Sequence, residues 1–188
     1  PTISCNRNRD FTLDSVGVLY PGWQIKFDDG EILVKGYSLM NGYYGAEELT
    51  RKAIDEDGWF HTEDMGYMDK KGYLHITGRK KNLIVMKNGK KVAAEELEQV
   101  LKKMPLVKEV LVYGAPCGNS ADDVKIAAAI YPDPERTEGM SSYEILEKLQ
   151  AYVDDINKSL PLYKHIQMVN IQETGFEHTA AHKIKRNQ

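Results

Sequence analysis

The sequence predicts a mixed α+β chain in two parts. Residues 1–80 read as a small antiparallel β-sheet or barrel, and residues 81–188 as a compact α+β domain with a β-hairpin, a three-stranded sheet and flanking helices. Three observations carry this. Short extended runs separated by turn residues fill residues 15–77. An Asn88-Gly89 pair opens the second part. Two stripes of helical period then alternate with three apolar runs of strand length.

Each element has its own reason. Ser15–Leu19, Trp23–Phe27 and Glu31–Lys35 are extended runs, and Asp29-Gly30 between the last two supplies the positive φ of a tight hairpin. Gly66–Asp69 and Tyr73–Thr77 form a second candidate hairpin around Lys70-Lys71-Gly72. The pattern changes after Gly78, on a charged stretch without apolar periodicity. Leu83–Lys87 and Lys91–Ala93 flank Asn88-Gly89, which reads as a two-residue hairpin turn. Leu97, Val100, Leu101 and Met104 then recur at helical spacing until Pro105 stops them. Val107–Tyr113 and Val124–Tyr131 are strand candidates joined by a polar loop, 115–123. Ser141 and Glu144 make a capping box, and Leu146, Leu149, Val153, Ile156 and Leu160 line one face of the helix beyond it. Ile166–Ile171 is the third core strand.

Composition narrows the function. The chain has 188 residues, 41% hydrophobic and 28% charged, which excludes wholesale disorder and collagen-like repeats. No run approaches the roughly 18 consecutive apolar residues of a spanning helix. Net charge is −3, which gives no bulk attraction to nucleic acid. The charge is uneven: eight acidic and two basic residues from Glu47 to Asp69, then six basic and no acidic residues from Arg79 to Lys91. Cys5 and Cys117 make neither a disulfide framework nor a zinc pattern, so a reducing cytoplasm is the default. There is no G-x-x-x-x-G-K-S/T loop, no G-x-G-x-x-G, no H-E-x-x-H and no nucleophile elbow. Periodicity and composition therefore stop at a two-part α+β protein without a self-contained catalytic site.

Four segments go further because of their order: GEILVKGYSLMNGYY from Gly30, GWFHTEDMG from Gly58, GRKKNLIVMKNGKKVAAEELE from Gly78, and HTAAHKIKR from His178. They closely resemble the last four core motifs of the acyl-adenylate-forming (AMP-binding) superfamily, with wording most like the long-chain fatty acid–CoA ligases. The opening residues, PTISCNRN, resemble the segment after that family's Y-G-x-T-E motif. The resemblance implies that residues 1–80 are the last β-rich subdomain of a large N-terminal adenylation domain. Residues 81–188 would be its mobile C-terminal lid. The implied parent enzyme joins a fatty acid to AMP using ATP, then passes the acyl group to coenzyme A.

The resemblance also implies roles. Asp64 matches the aspartate that grips the ribose hydroxyls; an ionised carboxylate can accept two O–H donors. The family wording there is T-G-D, and Glu63 stands in place of the glycine. Arg79 matches an arginine at the nucleotide, offering a rigid fork of donors. Lys81 takes the hinge position, where backbone torsion rather than side-chain chemistry matters. Gly89 matches the glycine lining the pantetheine tunnel of CoA, and Lys87, with Lys90 and Lys91, stands where CoA phosphates could be met. Lys183 matches the lysine that neutralises charge at the α-phosphate, the preorganised electrostatics that carry much of catalysis. The family has glycine before this lysine; here it is His182.

Without the resemblance, Asp64 is an acid in an acidic strip, Lys87 belongs to a solvated face, and Lys183-Ile184-Lys185-Arg186 is a frayed basic tail. No metal ligands are assigned, and the Mg2+ that accompanies ATP would be held mainly outside this chain. The expected partners are the N-terminal adenylation domain, fatty acid, ATP and CoA, with no nucleic acid and with peripheral membrane contact left open. Two other readings stand beside this one. The acceptor could be a carrier protein or oxygen, as in luciferases, or the Arg79–Lys91 segment could be an RNA- or lipid-binding loop.

Overall fold

The computed structural model describes residues 2–7, 11–117, 123–180 and 183–186. The chain divides into two compact units, Pro1–Lys81 and Asn82–Gln188.

The first unit is an antiparallel meander. A two-stranded ladder, β1 (Ser4–Cys5) with β2 (Val18–Leu19), precedes a four-stranded sheet of β3 (Trp23–Asp28), β4 (Glu31–Gly36), β5 (Phe60–Met68) and β6 (Leu74–Arg79), in that order. It is an open sheet: among the described residues no ladder joins β6 back to β3. Asp29 and Gly30 adopt φ +47° and +82°, as a primed turn requires, and register pairs Asp28 with Glu31. Flanked by β3 and β5, the start of β4 is buried on both faces, from Glu31 through Val34. Ile32, Val34 and Leu74 form the small core, against which Trp23, Ile25 and Phe60 pack.

Two expectations change here. The run from Ser15 contributes only Val18–Leu19 to a strand, because Ser15 turns back to donate to the Thr12 carbonyl. The acidic stretch contains a helix, α1 (Glu47–Ala53), that apolar periodicity does not announce because it buries no residue. Its support is electrostatic, with Glu47 and Glu48 in the first turn and Arg51 and Lys52 in the last.

A single 3-10 turn, Lys80–Asn82, leads into the second unit. Its order is β7 (Leu83–Val85), β8 (Lys91–Ala93), α2 (Ala94–Leu101), β9 (Val107–Pro116), β10 (Val124–Pro132), α3 (Ser142–Ser159) and β11 (Met168–Ile171). This is the expected succession of hairpin, helix, two strands, helix and strand. The sheet order is β11-β10-β9, with β10 antiparallel to β9 and parallel to β11. The α3 crossover makes the parallel pair possible. α3 begins at the expected capping box: Glu144 N–H donates to Ser141 Oγ, and Ser141 N–H to the Glu144 carboxylate.

One core gathers Leu97 and Leu101 of α2, Val110 and Val112 of β9, Ile126 and Ile130 of β10, and Leu149, Val153 and Ile156 of α3. Each large side chain so buried contributes about 1.5–3 kcal/mol. Leu146 is correspondingly the exposed edge of the α3 stripe.

The β7–β8 turn differs from the two-residue form. Met86 N–H donates to Lys90 O and Gly89 N–H to Met86 O, at 2.9 and 2.8 Å, so the loop is Lys87-Asn88-Gly89 with only Gly89 at positive φ, +75°. Asn88 stays out of the left-handed region because its Oδ1 accepts from Lys90 N–H at 3.1 Å, an Asx turn that competes with the primed form.

Candidate functional site

In the first unit, Asp64 and Arg79 face each other across the β5–β6 ladder, and Arg79 Nε lies 2.8 Å from Asp64 Oδ1. The two residues assigned to the nucleotide are therefore side by side. The local backbone is shaped for this. Thr62 Oγ1 donates to Ile32 O at 2.7 Å and accepts from Asp64 N–H at 3.1 Å. Between them Glu63 takes φ +57°, the left-handed conformation that glycine adopts most easily. The substituted glycine thus leaves the turn intact, at a cost of about 1–2 kcal/mol for a residue with a Cβ.

What holds that turn is Glu31, buried to 1% exposure. Its carboxylate accepts from Lys80 Nζ at 2.7 Å and from the Glu63 amide at 3.1 Å, and lies 3.4 Å from His61 Nδ1. Burial alone would push this carboxyl up. Lys80, the Glu63 amide and His61 outweigh it, so Glu31 sits below the ordinary carboxylate range. The same hydrogen bond, against the opposing effect of burial, holds the Lys80 ammonium above its usual value. One buried carboxylate thus fixes both the residue before Asp64 and the residue before Lys81. Lys81 itself is exposed within the 3-10 turn.

The Asp64–Arg79 pair is chemically available. Its side chains are 27% and 46% exposed, and a pair so placed is worth only about 0–1 kcal/mol. Either partner can exchange the other for a ligand hydroxyl or phosphate at little cost.

In the second unit Gly89 lies in the β7–β8 loop, and a Cβ built there meets nothing within 4 Å. The adjoining lysines have partners: Lys87 pairs with Asp123 at 3.1 Å, and Lys90 Nζ sits 4.4 Å above the Tyr163 ring.

Lys183 is not on a frayed tail. Residues 176–180 and 183–186 run back along each other as two limbs. His178 pairs with Ile184, Thr179 N–H donates to Lys183 O at 2.8 Å, and Lys183 N–H donates to Thr179 Oγ1 at 3.3 Å. Both limbs are anchored. Phe176 N–H donates to Glu109 Oε2 at 2.8 Å on the incoming side. On the outgoing side Arg186 donates to Glu98 Oε1 at 2.6 Å and to Val112 O at 3.0 Å. The anchors of the described limbs are carboxylates, Glu109 on the incoming side and Glu98 on the outgoing side. Lys183 is exposed, and His182 lies outside the described residues.

Glu31 and Glu98 are absent from the sequence-derived site, yet each leaves a trace. Glu31 heads the apolar run Ile32-Leu33-Val34. Glu98 completes the inward stripe Ala94, Leu97, Glu98, Leu101 at i, i+3, i+4, i+7, where a carboxylate needs a partner. Among the described residues no group of three or more His, Cys, Asp or Glu is placed to hold a metal ion, and no helix is long and apolar enough to cross a membrane.

Comparison with known proteins gives the family. Residues 81–188 match the model of the AMP-binding enzyme C-terminal domain, and the chain belongs to that family. It is 40% identical over 140 residues to the long-chain-fatty-acid–CoA ligase FadD15 of Mycobacterium tuberculosis, covering 73% of this chain and 22% of that protein. It is 34% identical over 186 residues to 4-coumarate–CoA ligase-like 9 of Oryza sativa subsp. japonica, covering 93% and 31%. Among solved structures, ATP-bound MatB from Rhodopseudomonas palustris superposes with a TM-score of 0.78 at 25% identity, over 97% of this chain and 36% of that one. The chain thus spans between a fifth and a third of the length of these two curated relatives.

Proposed function

We propose that the chain is the C-terminal portion of an ATP-dependent, AMP-forming acyl-CoA ligase, acting on a long-chain fatty acid. Residues 1–80 belong to its large adenylation domain, and residues 81–188 are the lid that turns about Lys81. The observation that carries the nucleotide assignment is the convergence at 2.8 Å of Asp64, in the middle of β5, and Arg79, at the end of β6, on a part-exposed surface. The fatty acid is favoured by the similarity to FadD15. Relatives named for coumarate and sulfoacetate ligases make the acyl group the more variable part of the reading.

In this mechanism a substrate carboxylate oxygen attacks the α-phosphorus of ATP. The bond to the β-phosphate oxygen breaks, pyrophosphate leaves, and acyl-AMP remains. Asp64 accepts hydrogen bonds from the ribose hydroxyls, and Arg79, released from Asp64, donates to the nucleotide. Lys183 places its ammonium against the charge accumulating on the phosphoryl oxygens. One such preorganised donor in a dry site lowers the barrier by about 3–4 kcal/mol. The CoA sulfur then attacks the acyl carbon, AMP departs, and the Gly89 loop, open where a Cβ would stand, leaves room for the pantetheine arm. The Mg2+ that accompanies ATP would be held mainly outside this chain, where it would offset phosphate charge.

The RNA- or lipid-binding alternative gains no support. Arg79, Lys80 and Lys87 each face a carboxylate within 3.1 Å, and Lys90 covers an aromatic ring. The test is AMP release from ATP, dependent on fatty acid and CoA. The 188-residue chain alone should give none, and a longer protein carrying it should turn over. Robust turnover by the chain alone, or no acyl-AMP from the longer protein, would contradict the reading.

A further inference from the structure

The hairpin that presents Lys183 is fastened by one guanidinium. Arg186, three residues beyond Lys183, inserts between α2 and β9. Its Nη2 donates to Glu98 Oε1 at 2.6 Å, and its Nη1 donates to Val112 O at 3.0 Å. The same Glu98 oxygen accepts from Val112 N–H at 2.8 Å. Glu98 is buried to 7% exposure, and the guanidinium is its charge partner among the described residues. Arg186 Nη2 also lies 3.7 Å from Glu95 Oε1, which accepts from Asn82 Nδ2. Asn82 directly follows Lys81. A continuous set of polar contacts therefore runs from the residue after the hinge position, through α2, to the loop bearing the ammonium.

We infer that Glu98 and Arg186 are positioning residues for Lys183, holding its loop in one conformation by a buried, charge-assisted clamp on α2. The inference rests on the proposed role of Lys183. Its physical basis is the sensitivity of electrostatic catalysis to placement. Lys183 has a long flexible stem, and among the described residues its two limbs are joined by three backbone-level contacts, Thr179 N–H to Lys183 O, Lys185 N–H to Glu177 O and Lys183 N–H to Thr179 Oγ1, none of which fastens them to the body of the domain. Without Arg186 the outgoing limb keeps the exposed Lys185–Glu177 pair. A catalytic group displaced by an ångström loses up to about a hundredfold in rate. Arginine suits this place because its rigid planar fork presents separate donors to a carboxylate and a backbone carbonyl in fixed geometry, whereas a lysine offers one flexible point charge.

The test combines two measurements. In this chain, hydrogen exchange should accelerate at the Thr179 and Lys183 amides in Arg186→Gln and Glu98→Gln, while the amides of Val110 and Ile130 keep their protection. In the longer protein, Arg186→Gln should lower the rate of acyl-AMP formation by about tenfold to a hundredfold with the KM for ATP unchanged. The double variant Lys183→Ala/Arg186→Gln should be no slower than Lys183→Ala alone, since a clamp has nothing left to position. Arg186→Lys should recover little. Additive losses in the double variant would mark a merely structural role and overturn the inference. So would an Arg186→Gln protein that adenylates normally while Lys183→Ala is impaired. If Lys183→Ala itself adenylates normally, the reading beneath the inference is overturned instead.

Discussion

Glu31 offers the sharpest test of how the first unit is built, because one buried carboxylate satisfies three donors. Replacing it by Gln keeps the shape and one acceptor oxygen but removes the charge. The 2.7 Å ion pair with Lys80 then becomes a hydrogen bond from an ammonium to a neutral oxygen, a loss of about 1 kcal/mol. Replacing it by Leu removes every acceptor. Lys80 is 57% exposed and can return to water, but the Glu63 amide loses its acceptor while its residue remains in the left-handed region. A part-buried donor left without its acceptor costs about 1 kcal/mol and the lost Lys80 bond about as much again, so Glu31→Leu should destabilise the unit by about 2 kcal/mol in total. Both tryptophans of the chain, Trp23 and Trp59, lie in this unit, so urea unfolding followed by tryptophan fluorescence reports it selectively.

The pH dependence has a definite sign. Glu31 is held below its unfolded value, so its contribution is present above about pH 4.3 and is lost as the pH falls through the lower folded value. Lys80 is held above its unfolded value, so its contribution is present below about pH 10.4 and disappears as pH rises through the higher folded value. The pair therefore stabilises throughout the neutral range, and Glu31→Gln should flatten the acid limb. Unfolding midpoints for Glu31→Gln and Glu31→Leu equal to that of the parent, at pH 7 and at pH 4, would refute the reasoning.

Two further outcomes are expected. Glu63→Gly should stabilise the first unit by about 0.5–1 kcal/mol in the same fluorescence measurement, because relief of the φ +57° conformation exceeds glycine's extra entropy cost; a lowered midpoint would contradict this. In the longer protein Asp64→Asn should raise the KM for ATP by roughly 10–100-fold, the worth of hydrogen bonds to a charged acceptor, and an unchanged KM would remove Asp64 from the ribose.

Much of the fold was legible because its signals are local. Asp29-Gly30 sets a turn with two positive φ values, Ser141 and Glu144 cap α3, and Leu97, Leu101, Leu149, Val153 and Ile156 mark the inward helical faces. α1 was not legible, since a helix burying nothing leaves no periodic trace. The Asn88-Gly89 turn was half legible: its place was evident, but the Asn88 side chain chose a longer loop. The tail hairpin was hidden for a different reason. Its anchors are Glu98 and Glu109, 88 and 67 residues upstream of Arg186 and Phe176. Such contacts have no sequence period. The candidate site divides the same way. Motif resemblance pointed to Asp64, Arg79 and Lys183, whereas the carboxylates that hold their surroundings in place emerged only from burial and hydrogen bonding.

The central claim is that the Lys183 ammonium neutralises charge at phosphorus during adenylation. In the longer protein, the two half-reactions of Lys183→Ala can be timed separately, by pyrophosphate exchange into ATP and by thioester formation from supplied acyl-AMP. Exchange should fall about 10²–10³-fold while thioester formation stays near the parent rate. Acyl-AMP formed at an undiminished rate would contradict the account.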